Sequence, residues 1–341
     1  MTRASQSRIG RRTWLSLLFL AGCLPGCLHR DITYSIGADG TAVVHFVARG
    51  DKADIERGDL MPPKDSWTVK ESEVAKEEGK KEYVYDATRS FARVSEIPPS
   101  YATPATRFPE AYLHTPVQFQ VKDEENAKVY EFTLTYKARK WKEYQDLQTE
   151  IAGPKLMDLV NRYGFDKLTQ DERLSFVAAF IRWQLRLIYD RVAAAASKAA
   201  LPTEKAQAIL RQTDLAFDTL SSEAAVRKIL AQPQDTWGKA LEEKKKEAQA
   251  DSDKILQEVL GAPQDAETLK KVRDDIAAAM LEWDVTNALG AQSFTVKVQM
   301  PGSIVKTNAE KVEGNGAQWN FGGDKFHDTD YVMSVTSRVT K

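Results

Sequence analysis

The spacing of apolar residues changes twice along these 341 residues, and that order constrains the fold more than any single motif. At both ends apolar and polar residues alternate, the period of a half-buried strand. Between them the apolar positions recur every three or four residues, the period of a helix. Ile32, Tyr34 and Ile36 share one face, Gly37-Ala38-Asp39-Gly40 is turn material, and Ala42, Val44, Phe46 and Ala48 resume the alternation. Residues 31–49 are therefore predicted to form a hairpin. Residues 51–80 are charged and mixed, and 83–93 reads as a further extended stretch. A second hairpin is expected from 117–121 and 129–138, with Tyr130, Phe132, Leu134 and Tyr136 on one face of its second strand. Near the other end Phe294, Val296, Val298 and Met300 alternate, Pro301-Gly302 and Gly314-Asn315-Gly316 turn the chain, and 331–339 makes a closing strand.

Residues 154–289 carry the helical signals. Thr169 and Glu172 fit a capping box. The helix behind them has two apolar stripes, one through Leu174, Val177, Ile181, Leu185, Ile188 and Val192 and one through Phe176, Phe180, Trp183 and Leu187. A helix apolar on more than one side is expected at the centre of its core. Shorter helices are predicted over 203–212 and 222–231, and 239–258 reads as an exposed helix laced with Lys–Glu pairs. Asp265 is placed to cap the last helix, whose stripe of Leu269, Val272, Ile276, Ala279 or Met280, and Trp283 resembles a short coiled-coil seam. An antiparallel mate within the chain suits so short a seam, and Gly290 is expected at its C′ position. Five prolines between Pro98 and Pro116 exclude a regular helix there and predict a long packed loop. The expected fold is α+β: a mainly antiparallel sheet built from N- and C-terminal strands with a large central helical insertion. The segments are 1–22, a β-rich 23–149, a helical 150–289 and a β-rich 290–341.

The first 22 residues read as an export signal. Arg3, Arg8, Arg11 and Arg12 occur there with no acidic residue, and residues 14–21 are apolar apart from Ser16. That run is too short to cross a bilayer, which needs about 20 apolar residues. Leu20-Ala21-Gly22-Cys23 closes it and resembles a bacterial lipobox, which makes Cys23 the expected lipidation site. Leu24-Pro25-Gly26-Cys27 offers Cys27 as an alternative. Arg11-Arg12-Thr13-Trp14-Leu15 also resembles the twin-arginine export signal, but the plainer reading, in which the two arginines only supply charge to the leader, is preferred. A lipidated cysteine bearing two or three chains would hold the protein at the membrane surface. No run of 18 apolar residues follows Leu28, so the body is not expected to span. Leu24 is not the aspartate that retains lipoproteins at an inner membrane, which gives an outer-membrane preference where two membranes exist.

The chain carries 48 basic and 49 acidic residues. Four of the basic ones lie in 1–22, so the body beyond carries 44 against 49, a net of −5. A mildly acidic body argues against a nucleic-acid partner. Both cysteines lie at the lipidated end, so the body folds on its core without a disulfide of its own.

Motifs that carry chemistry are few. A P-loop, a G-x-S-x-G elbow and an H-E-x-x-H helix are all absent, and no cofactor is expected. The four histidines, His29, His45, His114 and His327, leave few routes to a triad or a zinc site. Asp324, His327, Asp328 and Asp330 fall within seven residues and offer oxygen ligands, but their spacing fits no EF-hand, so no metal is assigned. The aromatics Tyr130, Phe132, Tyr136, Trp141 and Tyr144 either pack a core or line a ligand surface; of these, Tyr130, Phe132 and Tyr136 are the candidate ligand-binding residues. With no nucleophile–base pair evident, an enzyme is not expected.

Residues 298–308, Val-Gln-Met-Pro-Gly-Ser-Ile-Val-Lys-Thr-Asn, followed by Gly314 and Trp319, resemble the end of the LppM-type lipoprotein domain. That family also begins with a lipobox and an extended segment around a turn like Ala38-Asp39-Gly40-Thr41. The resemblance covers both β ends and leaves the middle as a helical insertion. It implies a non-enzymatic, lipid-anchored cell-envelope lipoprotein that binds a lipid or glycolipid, and it brings no catalytic residues. The alternative is a structural or interaction lipoprotein that docks an envelope protein through its helical segment.

Overall fold

The structure is a computed structural model describing residues 28–75, 81–164, 167–233 and 236–341. The described residues form two compact units, one from 28–141 with 282–341 and the other from 142–281. Cys23, Cys27 and the export signal lie outside the described residues. No helix among those described is long and apolar enough to cross a membrane.

The first unit is the β-rich one. Its strands are β1 (His29–Ile36), β2 (Ala42–Gly50), β3 (Thr68–Ala75), β4 (Lys81–Phe91), β5 (Val117–Glu124), β6 (Ala127–Tyr136), β7 (Ser293–Gln299), β8 (Ser303–Thr307), β9 (Lys311–Glu313), β10 (Gly316–Gly322) and β11 (Tyr331–Thr340), with a short helix α1 at Lys52–Arg57. They make a seven-stranded sheet in the order β3-β4-β2-β1-β7-β10-β9 and a four-stranded sheet in the order β5-β6-β11-β8. The fold is the expected α+β type, mainly antiparallel and built from N- and C-terminal strands, but divided between two sheets.

The hairpin at residues 37–41 shows why the chain reverses there. Gly40 adopts φ +86°, and the Asp39 carboxylate accepts from the Thr41 N–H (3.0 Å) and the Thr41 hydroxyl (2.7 Å). β1 then alternates strictly, with Arg30, Ile32, Tyr34 and Ile36 buried and the residues between them half-buried. On its other side β1 pairs in parallel with β7, Ile32 opposite Val296 and Tyr34 opposite Val298. Parallel neighbours cannot be joined by a tight turn, and here the connection carries the whole helical region. At Gly302, φ is +75° and a Cβ would stand 2.2 Å from the Arg338 carbonyl oxygen, so only glycine fits the turn between β7 and β8.

The sheets meet through aromatic rings. Tyr34 touches Phe132 with centroids 5.7 Å apart, and Tyr136 lies 5.6 Å from Phe294 and 5.2 Å from Phe321. Burying each such ring contributes on the order of 1.5–3 kcal/mol. The proline-rich loop folds back on this unit. Arg139, 5% exposed, donates to the Ala111, Tyr112 and Glu282 carbonyls and to the Thr286 hydroxyl.

The second unit contains α2 (Lys142–Ala152), α3 (Pro154–Tyr163), α4 (Gln170–Lys198), α5 (Thr203–Leu220), α6 (Glu223–Leu230), α7 (Trp237–Leu260) and the greater part of α8 (Ala266–Gly290). The Thr169 and Glu172 capping box is formed, and α4 buries both of its stripes from Phe176 onward. Three elements differ from expectation. α5 continues to Leu220, because Thr213 satisfies its hydroxyl on the Ile209 and Leu210 carbonyls and does not interrupt the helix. α7 is not exposed all round: Leu241, Ala248, Ser252, Ile255 and Leu256 are buried, a face hidden in the sequence by small residues among the lysines and glutamates. Gly290 is the last residue of α8, with an ordinary backbone angle, and a Cβ there would stand 3.3 Å from the His327 ring. The stripe of α8 is used within the unit, since Leu269 and Val272 join Val192, Ile209, Ile255, Leu256 and Leu260 in one core, with Ile276 against it.

Candidate functional site

The first unit carries an open groove of about 480 Å³ at the edge of its larger sheet. It is lined by Asp65, Ser66, Trp67 and Thr68, where the chain enters β3, and by Thr88, Arg89 and Ser90 on the neighbouring β4. Antiparallel pairing sets Thr68 opposite Thr88 and so joins two segments some twenty residues apart. Pro63 fixes the approach, its carbonyl accepting from both Ser66 N–H and Trp67 N–H.

The six polar side chains lining this groove make no hydrogen bond or ion pair with any described residue. The Arg89 guanidinium lies over the Phe91 ring at 4.9 Å and keeps its N–H groups free. Residues bearing a carboxylate, a guanidinium and four hydroxyls thus border the recess, with Arg89 on the Phe91 side of β4 and Thr88 and Ser90 on its other face. Such a set can donate to and accept from a polar ligand without first breaking internal bonds. Beneath them Trp67, 5% exposed, packs edge-on against Phe91 (5.9 Å) and Tyr101 (5.6 Å), and its Nε1 has no partner.

The candidate ligand residues from the sequence lie deeper. Tyr130, Phe132 and Tyr136 are each 1% exposed or less and face other core rings. Tyr130 stacks on Phe119 and donates to the Ala38 carbonyl at 3.4 Å, and Tyr136 is held by Phe294, Phe321 and Phe326. Near the same core Arg30 is 2% exposed and donates through Nη1 to Asp59 (3.1 Å), whose other oxygen accepts from the Leu113 N–H (2.9 Å). Burial holds the phenols of Tyr34, Tyr101 and Tyr136 above their ordinary range, so all three stay neutral.

The acidic cluster has local structural uses. Asp330 accepts from the Ala138 N–H and from Lys137 Nζ, both at 2.8 Å, which holds its carboxyl below the usual range. Asp328 accepts from the Trp141 N–H at 2.8 Å. No group of three or more metal-ligating side chains is assembled among the described residues. The His327 ring stacks on Trp141 (4.5 Å), which stacks in turn on Trp283 (5.8 Å), and burial lowers the imidazole pKa. Tyr144, in the helical unit, lies under the Arg191 guanidinium.

One constellation escapes the sequence altogether. On the solvent side of the larger sheet His29 Nδ1 lies 2.8 Å from Ser293 Oγ, and its Nε2 lies 3.0 Å from Asp31 Oδ1. The parallel register of β1 and β7 places His29 opposite Ser293 across 264 residues, a separation that no local motif could reveal. The string sits among other cross-strand polar pairs, Ser35 with Gln299 and Thr295 with Asn320, and Asp31 also approaches Arg49 at 3.8 Å. The groove is likewise absent from any motif, because its two segments meet only through strand pairing.

No protein-family model matches the chain, and no curated protein matches it in sequence. Among solved structures, the NMR structure of the folded domain of the Mycobacterium tuberculosis LppM protein is similar at 10% identity. The alignment covers 93% of this chain and 92% of that one, with a TM-score of 0.31.

Proposed function

We propose that this protein is a lipid-anchored lipoprotein of the cell envelope whose body is a non-enzymatic binding module for a lipid or glycolipid. The groove carries the reading, since the side chains of the six polar residues that border it make no hydrogen bond with any described residue. Exchange of water for a ligand there forfeits no protein bond, and a mixed set of donors and acceptors suits a polar head group. The lipobox-like segment ending at Cys23, with Cys27 as its alternative, supports the anchor, which would hold the groove near a membrane surface.

The second reading is a protein-docking lipoprotein acting through the helical unit. It is supported by Leu215, 68% exposed on α5, although the α8 stripe is already used within the unit. A photo-crosslinking residue at Ser66 or Ser90, introduced into the full chain in its native envelope, separates the two. Capture of lipid-sized material at the groove is expected. Capture only of protein, or no capture from either position, would contradict the binding reading.

A further inference from the structure

We infer that the core between the two sheets holds a neutral acyl carbonyl, the oxygen of an ester or amide in an apolar ligand, at Arg30. This rests on the binding reading above and names the chemistry of what is bound.

Among the described residues, the buried polar atoms that lack a hydrogen-bond partner include Arg30 Nε, Arg30 Nη2, the Tyr136 hydroxyl and Trp67 Nε1. All four can donate. Buried donors are almost always paired, because each one left unpaired forfeits its hydration with nothing in return. The same unit satisfies Arg139, which is equally buried, on three carbonyls and a hydroxyl. Arg30 is thus left short of acceptors in a fold that elsewhere supplies them.

Ring contacts connect these atoms without a break. The Arg30 guanidinium lies 5.9 Å from the Phe46 ring and 5.8 Å from Phe294. Phe46 leads through Tyr101 (5.6 Å) to Trp67 under the groove, and Phe294 leads to Tyr136 (5.6 Å). A hydrocarbon chain would meet apolar walls on either side of the guanidinium. Charge then selects among acceptors. Asp59 already neutralises Arg30, and burial keeps the phenols uncharged. A carboxylate or phosphate would add an uncompensated negative charge in a dry core. A carbonyl oxygen has two lone pairs and no charge, and it can accept from both free N–H groups of Arg30.

The test uses the full chain in nanodiscs of a diether lipid, which contains no acyl carbonyl. Monopalmitoylglycerol, its hexadecyl ether analogue and palmitate are compared as ligands, with the infrared band of a 13C-labelled ester carbonyl as a second readout. The ester is expected to bind about tenfold or more tighter than the ether, with palmitate weaker than the ester and the carbonyl band shifted to lower frequency. Arg30→Gln should abolish the preference for the ester. Tyr136→Phe, which removes one oxygen from a packed ring, should reduce it several-fold while leaving the protein folded. Equal binding of ester and ether, palmitate as the tightest ligand, or a preference intact in both variants would overturn the inference. Failure of all three lipids also overturns it. If the groove positions then still capture lipid-sized material, the broader binding reading stands, and if they capture nothing it falls as well.

Discussion

Arg30 Nη1 donates to Asp59 Oδ2 at 3.1 Å, and the second oxygen of that carboxylate accepts from the Leu113 N–H at 2.9 Å. Neither side chain of the pair is more than 5% exposed. One ion pair thereby ties β1, the segment just beyond α1, and the end of the proline-rich loop. Asp59→Ala leaves a buried guanidinium and an orphaned N–H, and should cost about 3–5 kcal/mol in urea unfolding. The double variant Arg30→Met, Asp59→Leu should lose far less, because no buried charge remains.

The N-terminus of α4 depends on a local device that is separable from the core. Thr169 accepts from the Glu172 N–H at 3.3 Å, while the Glu172 carboxylate accepts from the Thr169 N–H at 2.8 Å. Thr169→Ala should destabilise the protein by about 1 kcal/mol and Thr169→Ser by much less, as measured by denaturant midpoints at an unchanged slope.

His327 should give the fold a titration of its own. Burial lowers its pKa below the ordinary 6.5 against the opposing pull of Asp324 and Asp328, so between the two values the unfolded chain binds more protons than the folded one. The associated stability is fully present above about pH 6.5 and is lost as the pH falls through the lower, folded-state value. In His327→Phe that part of the pH dependence should vanish from thermal unfolding curves recorded between pH 7.5 and 5, a range set by the ordinary histidine pKa of about 6.5.

The Ser293, His29 and Asp31 string supplies the sharpest check on the non-enzymatic reading. A fluorophosphonate probe labels an activated serine through attack by its oxygen on phosphorus. Peptide mass mapping of the treated protein should find Ser293 unmodified at neutral pH. Stoichiometric labelling that disappears in His29→Ala would make this sheet face a hydrolase site.

Much of the architecture was legible in the sequence because it is written in local periodicity. Ile32, Tyr34 and Ile36 announce a half-buried strand, and Thr169 with Glu172 announces a helix start. What stayed hidden depends on distant residues meeting. The parallel pairing of β1 with β7 joins residues some 260 positions apart, and with it come the division into two sheets and the Ser293–His29 contact. β3 was lost within a charged stretch because it is an edge strand exposed along nearly its whole length, with no apolar alternation to betray it. The groove shares that edge, so its residues looked like ordinary surface. Tyr130, Phe132 and Tyr136 were readable as one face of a strand, but only the opposing sheet shows what that face touches.

Native mass spectrometry of the full chain, released gently from the envelope in which it is made, tests the binding reading most directly. A reproducible mass beyond the protein and its covalent anchor is expected, removable by organic solvent, identifiable as a lipid or glycolipid, and diminished in Arg89→Ala. A protein that repeatedly emerges with no such mass, or one whose extra mass is indifferent to the groove and to Arg30, would contradict it.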